Sequence, residues 1–409
     1  MFFGKEENTL NIIIRLFGFI PRHRKNSLII LLIFMILSAF FEVITISSVV
    51  PFLTLLLNPS ELFKISALVK LMEFLQIDFS KADLYVTLLF SISTLSSGIL
   101  RLLTLWITNR LSAEIGTDFS KICLRNTIYQ EYQFHIDKSN SETLSSLTYH
   151  LDEAITVIYS LLSTITNMVL GLSIVLTLIF VSFQITIISF VILILFYLII
   201  SLITSKRIKI FSKFIETKIN KQYLLVQEIF LTIKDIIIDK KEDYFVRKYL
   251  DEDYTKRIKI SQINFLSSFP RYALEMIIVL NFIFVGFLLR NSQINTNSIL
   301  TVLGVFALGS QKLLPSFQSI YSNISQIRAR SANIQTILDY LERKPILSSI
   351  PKKRKNFGFS NLYLKEVGFN YPSSRDILSN LNLKIYKGDR IGIIGSSGSG
   401  KSTLIDILL

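Results

Sequence analysis

Charged residues are scarce in this 409-residue chain. They make up 18% of it, whereas soluble domains carry about 25%. Half of the residues are hydrophobic, and the mean hydropathy is +0.49. A soluble protein with this composition would need an implausibly large core, so the chain is predicted to lie in a lipid bilayer. Its net charge of +14 is spread between long apolar runs, which argues against a nucleic-acid-binding protein.

Cysteine is almost absent as well, since Cys123 is the single thiol of the chain. One cysteine excludes an internal disulfide and offers no thiolate cluster for a metal. Its polar sequence neighbours indicate an ordinary helix residue.

The N-terminal stretch lacks the features of a cleaved signal peptide. Its apolar run "NTLNIIIRLFGFIPRHRKN" is short, carries internal charge and is not followed by an A-x-A site. Residues 1–26 are therefore predicted to form a cytoplasmic interfacial segment on the inner leaflet. We expect Arg22, Arg24 and Lys25 to face lipid phosphates there.

Six apolar runs are long enough to cross a membrane, which takes about 20 residues. They cover residues 27–57, 84–111, two spans within 154–205 separated by a turn at 182–184, 260–289, and 298 to about 324. The predicted fold class is thus a mainly α-helical membrane protein, with a six-helix transmembrane domain over residues 27–343.

Lysine and arginine mark one side of the predicted membrane. They concentrate before the first span, around 110–138, in 206–259 and after 328. By the positive-inside rule, both termini are predicted to lie on the cytoplasmic side of the membrane. The spans beside these basic regions continue as polar helical sequence over 112–133 and 206–241, so we expect long extensions below the bilayer.

Residues 60–79, "SELFKISALVKLMEFLQIDF", lie between the first two spans, on the predicted outer side. Their apolar residues recur at helical spacing, which indicates an amphipathic helix at the outer interface. A plain connecting helix is the equally weighted alternative.

Soluble character begins after a linker predicted at 344–359, which contains two prolines and the basic run "KKRK". In residues 360–409, "NLYLKEVGFNY" and "NLNLKIY" alternate like strands, and Lys387-Gly388-Asp389 is typical of a turn. "RIGIIG" at 390–395 is predicted to be a short buried strand.

A phosphate-binding loop follows that strand. Gly395, Gly400, Lys401 and Ser402 satisfy the pattern G-x-x-x-x-G-K-[ST]. Its glycines let backbone N–H groups surround phosphate oxygens, and the following helix directs its positive end at the same anion. Lys401 would contact the β- and γ-phosphates of ATP, and the Ser402 hydroxyl would bind Mg²⁺. The full set of predicted nucleotide-binding residues is Tyr371, Gly395, Ser396, Ser397, Gly398, Ser399, Gly400, Lys401, Ser402 and Thr403.

Six spans with long extensions, followed by "VGFNYP" and "IYKGDRIGIIGSSGSGKSTL", resemble an ABC exporter half-transporter. This resemblance implies that Tyr371 stacks on adenine and that residues 395–403 are the Walker A loop. The family's Q-loop, signature motif, Walker B acids and switch histidine are missing, so no catalytic residue is assigned. We expect a truncated half-transporter, whose fragment at 360–409 begins an α/β P-loop ATPase domain. The intact protein would be a homodimeric ATPase, and an inactive remnant is one alternative.

Five charged residues lie well inside the apolar runs, where charge is costly and usually functional. They are Glu42, Arg101, Arg271, Glu275 and Lys312. The three cations outnumber the two acids, and a dimer would carry both sets twice. The sequence therefore predicts an intramembrane cavity with a net positive charge, which favours anionic substrates. Structural pairing or snorkelling of each cation is the alternative, and Glu275, one helical turn after Arg271, is a ready partner.

"FFEVITISSVVPFLTLL", "SSFPRYALE" and "KLLPS", with the helix at 60–79, are similar to lipid-linked oligosaccharide flippases of bacterial N-glycosylation. This resemblance implies that Arg101, Arg271 and Lys312 bind the pyrophosphate of a polyisoprenoid-linked glycan, although arginine would be expected where Lys312 stands. It also implies that the outer helix contacts the polyprenyl tail. A multidrug or lipid exporter is the other alternative.

Overall fold

The structure is a computed structural model that describes residues 9–57, 59, 62, 66–74, 81–138, 140–291, 296–346, 360–370 and 377–408. The chain divides into two compact units, Met1–Leu347 and Ser348–Leu409. The division falls within the linker predicted at 344–359.

The described part of the first unit is helical. Its helices are α1 (Thr9–Gly18), α2 (Arg24–Leu57), α3 (Ser66–Phe74), α4 (Ala82–Ile128), α5 (Tyr132–Asp137), α6 (Asn140–Ser145), α7 (Leu151–Val181), α8 (Phe183–Leu231), α9 (Ile233–Ile238), α10 (Glu242–Asn291), α11 (Thr296–Ala329) and α12 (Ser331–Glu342). A single π-helical turn, Ser146–His150, joins α6 to α7.

Among the described residues, six helical segments are long and apolar enough to cross a membrane, which confirms the predicted number. They contain α2, α4, α7, α8, α10 and α11. Many of their large apolar side chains are exposed, such as Phe180 at 90% and Leu202 at 72%. Such faces are stable against lipid, because acyl chains cover them as well as protein would. The turn between α7 and α8 falls within the predicted 182–184, but it consists of one extended residue, Ser182, because α8 begins at Phe183.

Three of these helices are much longer than a bilayer requires. Helices α4, α8 and α10 contain 47, 49 and 50 residues, so each is ~70–75 Å long against a hydrocarbon core of ~30 Å. The predicted extensions of α4 and α8 are therefore present. The second one breaks at Thr232 into the short α9, and a turn with Lys240 at φ 53° then leads into α10.

Two apolar clusters hold this bundle together. One joins the middle of three spans through Ile46 of α2, Ile174 of α7 and Val305 of α11, each at most 2% exposed. The other lies at the end of the bundle that carries the extensions, where α12 packs against α1, α4 and α7. Its members include Phe119 and Ile334, both fully buried.

The start of α2 is tied to α4 by ion pairs, and this corrects one prediction. Arg24 does not face lipid phosphates: its Nη1 lies 2.6 Å from Glu114 Oε2, and its Nε lies 2.8 Å from Asp118 Oδ2. The extension of α4 presents those two carboxylates one turn apart, and together they bind one guanidinium. Arg22 and Lys25 are exposed.

Helix α3 forms within the segment predicted to be amphipathic. It covers Ser66–Phe74, while residues 60, 61, 63–65 and 75–80 lie outside the described residues. Met72 and Leu62 are 2% exposed and pack with Ala82 and Val86 at the start of α4. The apolar residues of this segment thus contact protein, and a role toward a polyprenyl tail stays a prediction.

The described part of the second unit contains β1 (Asn361–Phe369), β2 (Leu378–Tyr386) and α13 (Lys401–Leu408). The strands pair antiparallel, with Leu364 opposite Leu383, which confirms both alternating patterns. The predicted turn follows β2, with Gly388 at φ 95° and Asp389 Oδ2 accepting a hydrogen bond from Tyr386 N at 2.7 Å.

The prediction of a buried strand at 390–395 is wrong. These residues form no ladder, and Ile394 is 99% exposed. An apolar strand of this kind is stable only between parallel neighbours. In the described residues the sheet contains only β1 and β2, which pair with each other.

Candidate functional site

The phosphate-binding loop precedes α13, which begins at Lys401. Gly398 and Gly400 have φ angles of 81° and 83°, in the left-handed region that glycine adopts without strain. Lys401 Nζ donates to Gly395 O at 2.8 Å and to Ser396 O at 2.6 Å. The lysine therefore folds over the loop and places its charge at the start of α13, where an anion would bind.

Two glycines keep this loop narrow. A Cβ atom at Gly395 would lie 2.6 Å from Ser399 Oγ, and one at Gly400 would lie 2.9 Å from Ile377 Cγ2. A side chain at Gly395 would thus displace Ser399, and one at Gly400 would both displace Ile377 and be strained by the positive φ. The residues fit the phosphates of ATP, because the loop brings a cation and a helix N-terminus together without side chains between them.

Most of the predicted nucleotide residues share this loop. Ser396, Ser397, Ser399 and Ser402 are exposed, whereas Thr403, in the first turn of α13, is 8% exposed. Tyr371, the predicted adenine-stacking residue, lies outside the described residues. Its role stays a prediction.

Glu42, in the first span, is the centre of a buried charge cluster. It is 4% exposed; its Oε1 lies 2.8 Å from Lys312 Nζ, and its Oε2 accepts a hydrogen bond from Ser97 Oγ. One carboxylate thus joins α2, α4 and α11. Lys312 is thus held in a structural ion pair. Such a pair was one of the two roles that the sequence allows for this residue, the other being a free cation.

Arg271 and Glu275 form the second intramembrane pair. Arg271 Nε lies 3.1 Å from Glu275 Oε1, and the side chains are 50% and 41% exposed. The pairing expected from their spacing is present. Glu275 also lines a cavity of 460 Å³ between α10 and α11, together with Ser310 and Gln311.

Arg101 differs from the other two intramembrane cations. Its side chain is exposed on α4 and forms no ion pair with any residue that the structure describes. The buried face of α4 carries Ser93, Ser97 and Thr104 toward α2, and Arg101 lies to one side of that face. The protomer therefore presents one uncompensated positive charge from this span.

A buried polar junction is absent from the sequence-based predictions. His150, 1% exposed, ends the π-helical turn; its Nδ1 lies 3.1 Å from Asn333 Oδ1 and its Nε2 3.5 Å from Asn220 Oδ1. The junction ties α7 to α8 and α12, and burial raises the pKa of the neighbouring Glu216 carboxyl. No local pattern could have revealed it, since the two partners of His150 come from distant parts of the chain.

Cys123 is fully buried in the cluster around α12. Burial raises the pKa of its thiol to about 12. The thiolate is the reactive form, so Cys123 is chemically inert at neutral pH, as an ordinary helix residue would be.

Comparison with known proteins agrees with this arrangement. Residues 378–409 match the family described as ABC transporter, which implies ATP binding. The chain is 26% identical to a protein of Rickettsia bellii named as an export ATP-binding/permease protein, over 80% of this chain and 57% of that protein. A similarly named protein of Rickettsia prowazekii is 25% identical over 81% and 57% of the two chains. The subtilin transport ATP-binding protein SpaT of Bacillus subtilis is 25% identical over 46% and 30%.

The chain spans 57% of the length of each of the two rickettsial relatives. With its six spans, their polar extensions and an ABC transporter match that contains the loop, the chain is similar in organisation to an ABC exporter-type half-transporter.

Proposed function

We propose that this chain works in a homodimeric, ATP-driven exporter that moves a lipid-linked anion outward across a bacterial inner membrane. The substrate class is a glycan joined through pyrophosphate to a polyisoprenoid. Both termini lie in the cytoplasm, where lysine and arginine are concentrated. ATP with Mg²⁺ supplies the free energy. Residues 395–403 hold the phosphates, and Ser402 provides a hydroxyl for the metal.

Arg101 is the observation that supports this substrate most strongly. An exposed arginine within an apolar span is costly unless an anion, water or another protein group compensates its charge. A guanidinium binds phosphate oxygens in bidentate geometry. Lys312 and Arg271 already have carboxylate partners, so the phosphate-binding role falls first to Arg101 and second to Arg271.

Coupling follows from the shape of the helices. Closure of two ATP-binding units around nucleotide would move the ends of the extensions, at the turns near His135 and Asp243. Helix α10 begins at the turn near Asp243, and α4 and α8 each end within one short helix of these turns. These helices would therefore transmit the motion into the bilayer and exchange an inward for an outward opening.

Replacing Arg101 with glutamine tests the proposed substrate. Transport of a polyprenyl-pyrophosphate glycan into proteoliposomes by the full-length gene product should fall about tenfold to hundredfold, because a charge-assisted contact of ~1.5–3 kcal/mol is lost. Lys121→Gln, an exposed cation on the same helix, should leave transport unchanged. Unaltered transport in Arg101→Gln would contradict the proposal, and an exporter of neutral apolar compounds would then be favoured.

A further inference from the structure

A second cavity lies between α7, α8 and α11, apart from the intramembrane ion pairs. It has a volume of 410 Å³, and apolar side chains such as Leu172, Phe190, Leu198 and Ile324 line most of it. Leu172 and Leu198 are 61% and 55% exposed, so the cavity is a groove that opens on the surface of the membrane unit. We call it the α7–α8–α11 groove.

The tyrosines of this groove present only their rings. Tyr197 donates its hydroxyl to Phe317 O, and Tyr321 donates to Leu266 O at 3.1 Å and bonds Thr204 Oγ1 at 2.7 Å. Their polar atoms are thus satisfied by the protein, and the ring surfaces form an apolar wall.

One cation stands at the end of the groove. Arg328, half-buried near the end of α11 that leads into α12, donates from Nη1 to Ser201 Oγ at 3.1 Å. A guanidinium has five donor hydrogens, so most of them remain for a ligand. No carboxylate pairs with Arg328 among the residues that the structure describes.

The length of the groove matches the depth of one lipid leaflet. Phe317 and Arg328 lie about 16 Å apart along α11 at the rise of an α-helix, and Phe190 and Ser201 are separated by a similar distance along α8. This is about half of a ~30 Å hydrocarbon core, which is the depth of one leaflet. Arg328 comes one turn after the apolar run of the span ends at about residue 324, where we expect the lipid headgroups to lie.

We propose that the α7–α8–α11 groove binds one anionic phospholipid of the adjacent leaflet, with an acyl chain along its apolar wall and the phosphate on Arg328. Basic sites between transmembrane helices recognise anionic headgroups in this way. The proposal requires that α8 and α11 cross the bilayer. It does not depend on ATP binding or on the identity of the transported substrate.

Native mass spectrometry of the purified chain, titrated with phosphatidylglycerol or phosphatidylcholine, tests this proposal. We expect one phosphatidylglycerol per chain, bound about tenfold more tightly than phosphatidylcholine. Arg328→Gln should abolish that preference. Arg207→Gln, an exposed cation on α8 outside the groove, should keep it.

A second variant tests the groove itself. A Cβ atom at Gly171 would meet nothing within 4 Å, although this residue lines the groove. Gly171→Leu should therefore fold, occupy the groove and weaken both lipids about tenfold. Gly98→Leu, which also enters open space but on α4, should have no effect.

Three results would overturn the assignment. Equal losses in Arg328→Gln and Arg207→Gln would indicate diffuse attraction to a basic surface. Unchanged lipid binding in Gly171→Leu would place the lipid elsewhere. Displacement of phosphatidylglycerol, one for one, by a polyprenyl pyrophosphate would make the groove a site for the transported substrate. Each result concerns lipid binding alone, so it is distinguishable from failure of the proposed function, which the Arg101 transport assay measures.

Discussion

Replacing Lys401 with alanine should weaken ATP binding about tenfold to hundredfold in the full-length gene product. The lysine places its ammonium over the phosphate loop, where it now bonds Gly395 O and Ser396 O. Exchange of these carbonyls for phosphate oxygens gives a charge-assisted hydrogen bond of ~1.5–3 kcal/mol, and ~1.4 kcal/mol corresponds to tenfold in affinity. Alanine also removes both bonds to the loop, which loosens its closed form.

Titration with a fluorescent ATP analogue in detergent measures this effect. Lys387→Ala is the matched control, since Lys387 is exposed in the turn after β2 of the same unit. It should bind nucleotide as tightly as the wild type. If Lys401→Ala bound with unchanged affinity, the loop at 395–403 would not be the phosphate site.

Replacing Glu42 with glutamine should lower the free energy of unfolding of the membrane unit by about 3 kcal/mol. The carboxylate is 4% exposed and compensates Lys312, which is 28% exposed. Removing one member of a buried ion pair costs ~3–5 kcal/mol, because the other charge is left without a partner. The partial exposure of Lys312 puts the expected value at the lower end of this range.

Equilibrium unfolding of the purified chain in mixed detergent micelles checks this value. Glu228→Gln breaks an exposed ion pair with Lys248 on the extensions and should cost at most about 1 kcal/mol. The double variant Glu42→Leu with Lys312→Met should regain most of the loss, since an apolar pair can replace a buried ion pair. Equal stabilities of Glu42→Gln and the wild type would show that this ion pair does not hold the bundle.

The spans were predictable because the bilayer imposes its own thickness on the sequence. A run of about 20 apolar residues matches the length that a helix needs to cross the hydrocarbon core, and Ser182 breaks the longest run at the observed turn. The pairing of Arg271 with Glu275 was equally accessible, since residues four apart on a helix are neighbours in any fold.

Contacts between distant segments were not predictable. Lys312 meets Glu42 because α11 packs beside α2, and Arg24 meets Glu114 and Asp118 because α4 extends beyond the bilayer. No local sequence pattern gives the register or the rotation of these helices relative to one another. From the sequence alone Arg24 is expected to face lipid phosphates, and Lys312 is either a phosphate ligand or a member of a structural pair; the structure gives both of them carboxylate partners.

The predicted strand at 390–395 is wrong for a related reason. Its sequence has the apolar character of a strand in a parallel sheet. Such a strand is stable only when parallel neighbours cover it, and the apolar sequence does not show whether those neighbours are present. The loop that follows was predictable, because its turn requires positive φ angles at Gly398 and Gly400. Glycine adopts such angles without strain, so the requirement is visible in the local sequence.

If ATP moves a lipid-linked anion through the dimer, two substrates offered in the same vesicles should be transported at different rates. The full-length gene product, in proteoliposomes supplied with ATP and Mg²⁺, is given a polyprenyl-pyrophosphate glycan and a neutral amphipath with the same tail. We predict ATP-dependent translocation of the pyrophosphate lipid at least about tenfold faster than that of the neutral one. Equal rates for the two lipids, or no ATP-dependent movement of either, would contradict the proposed function.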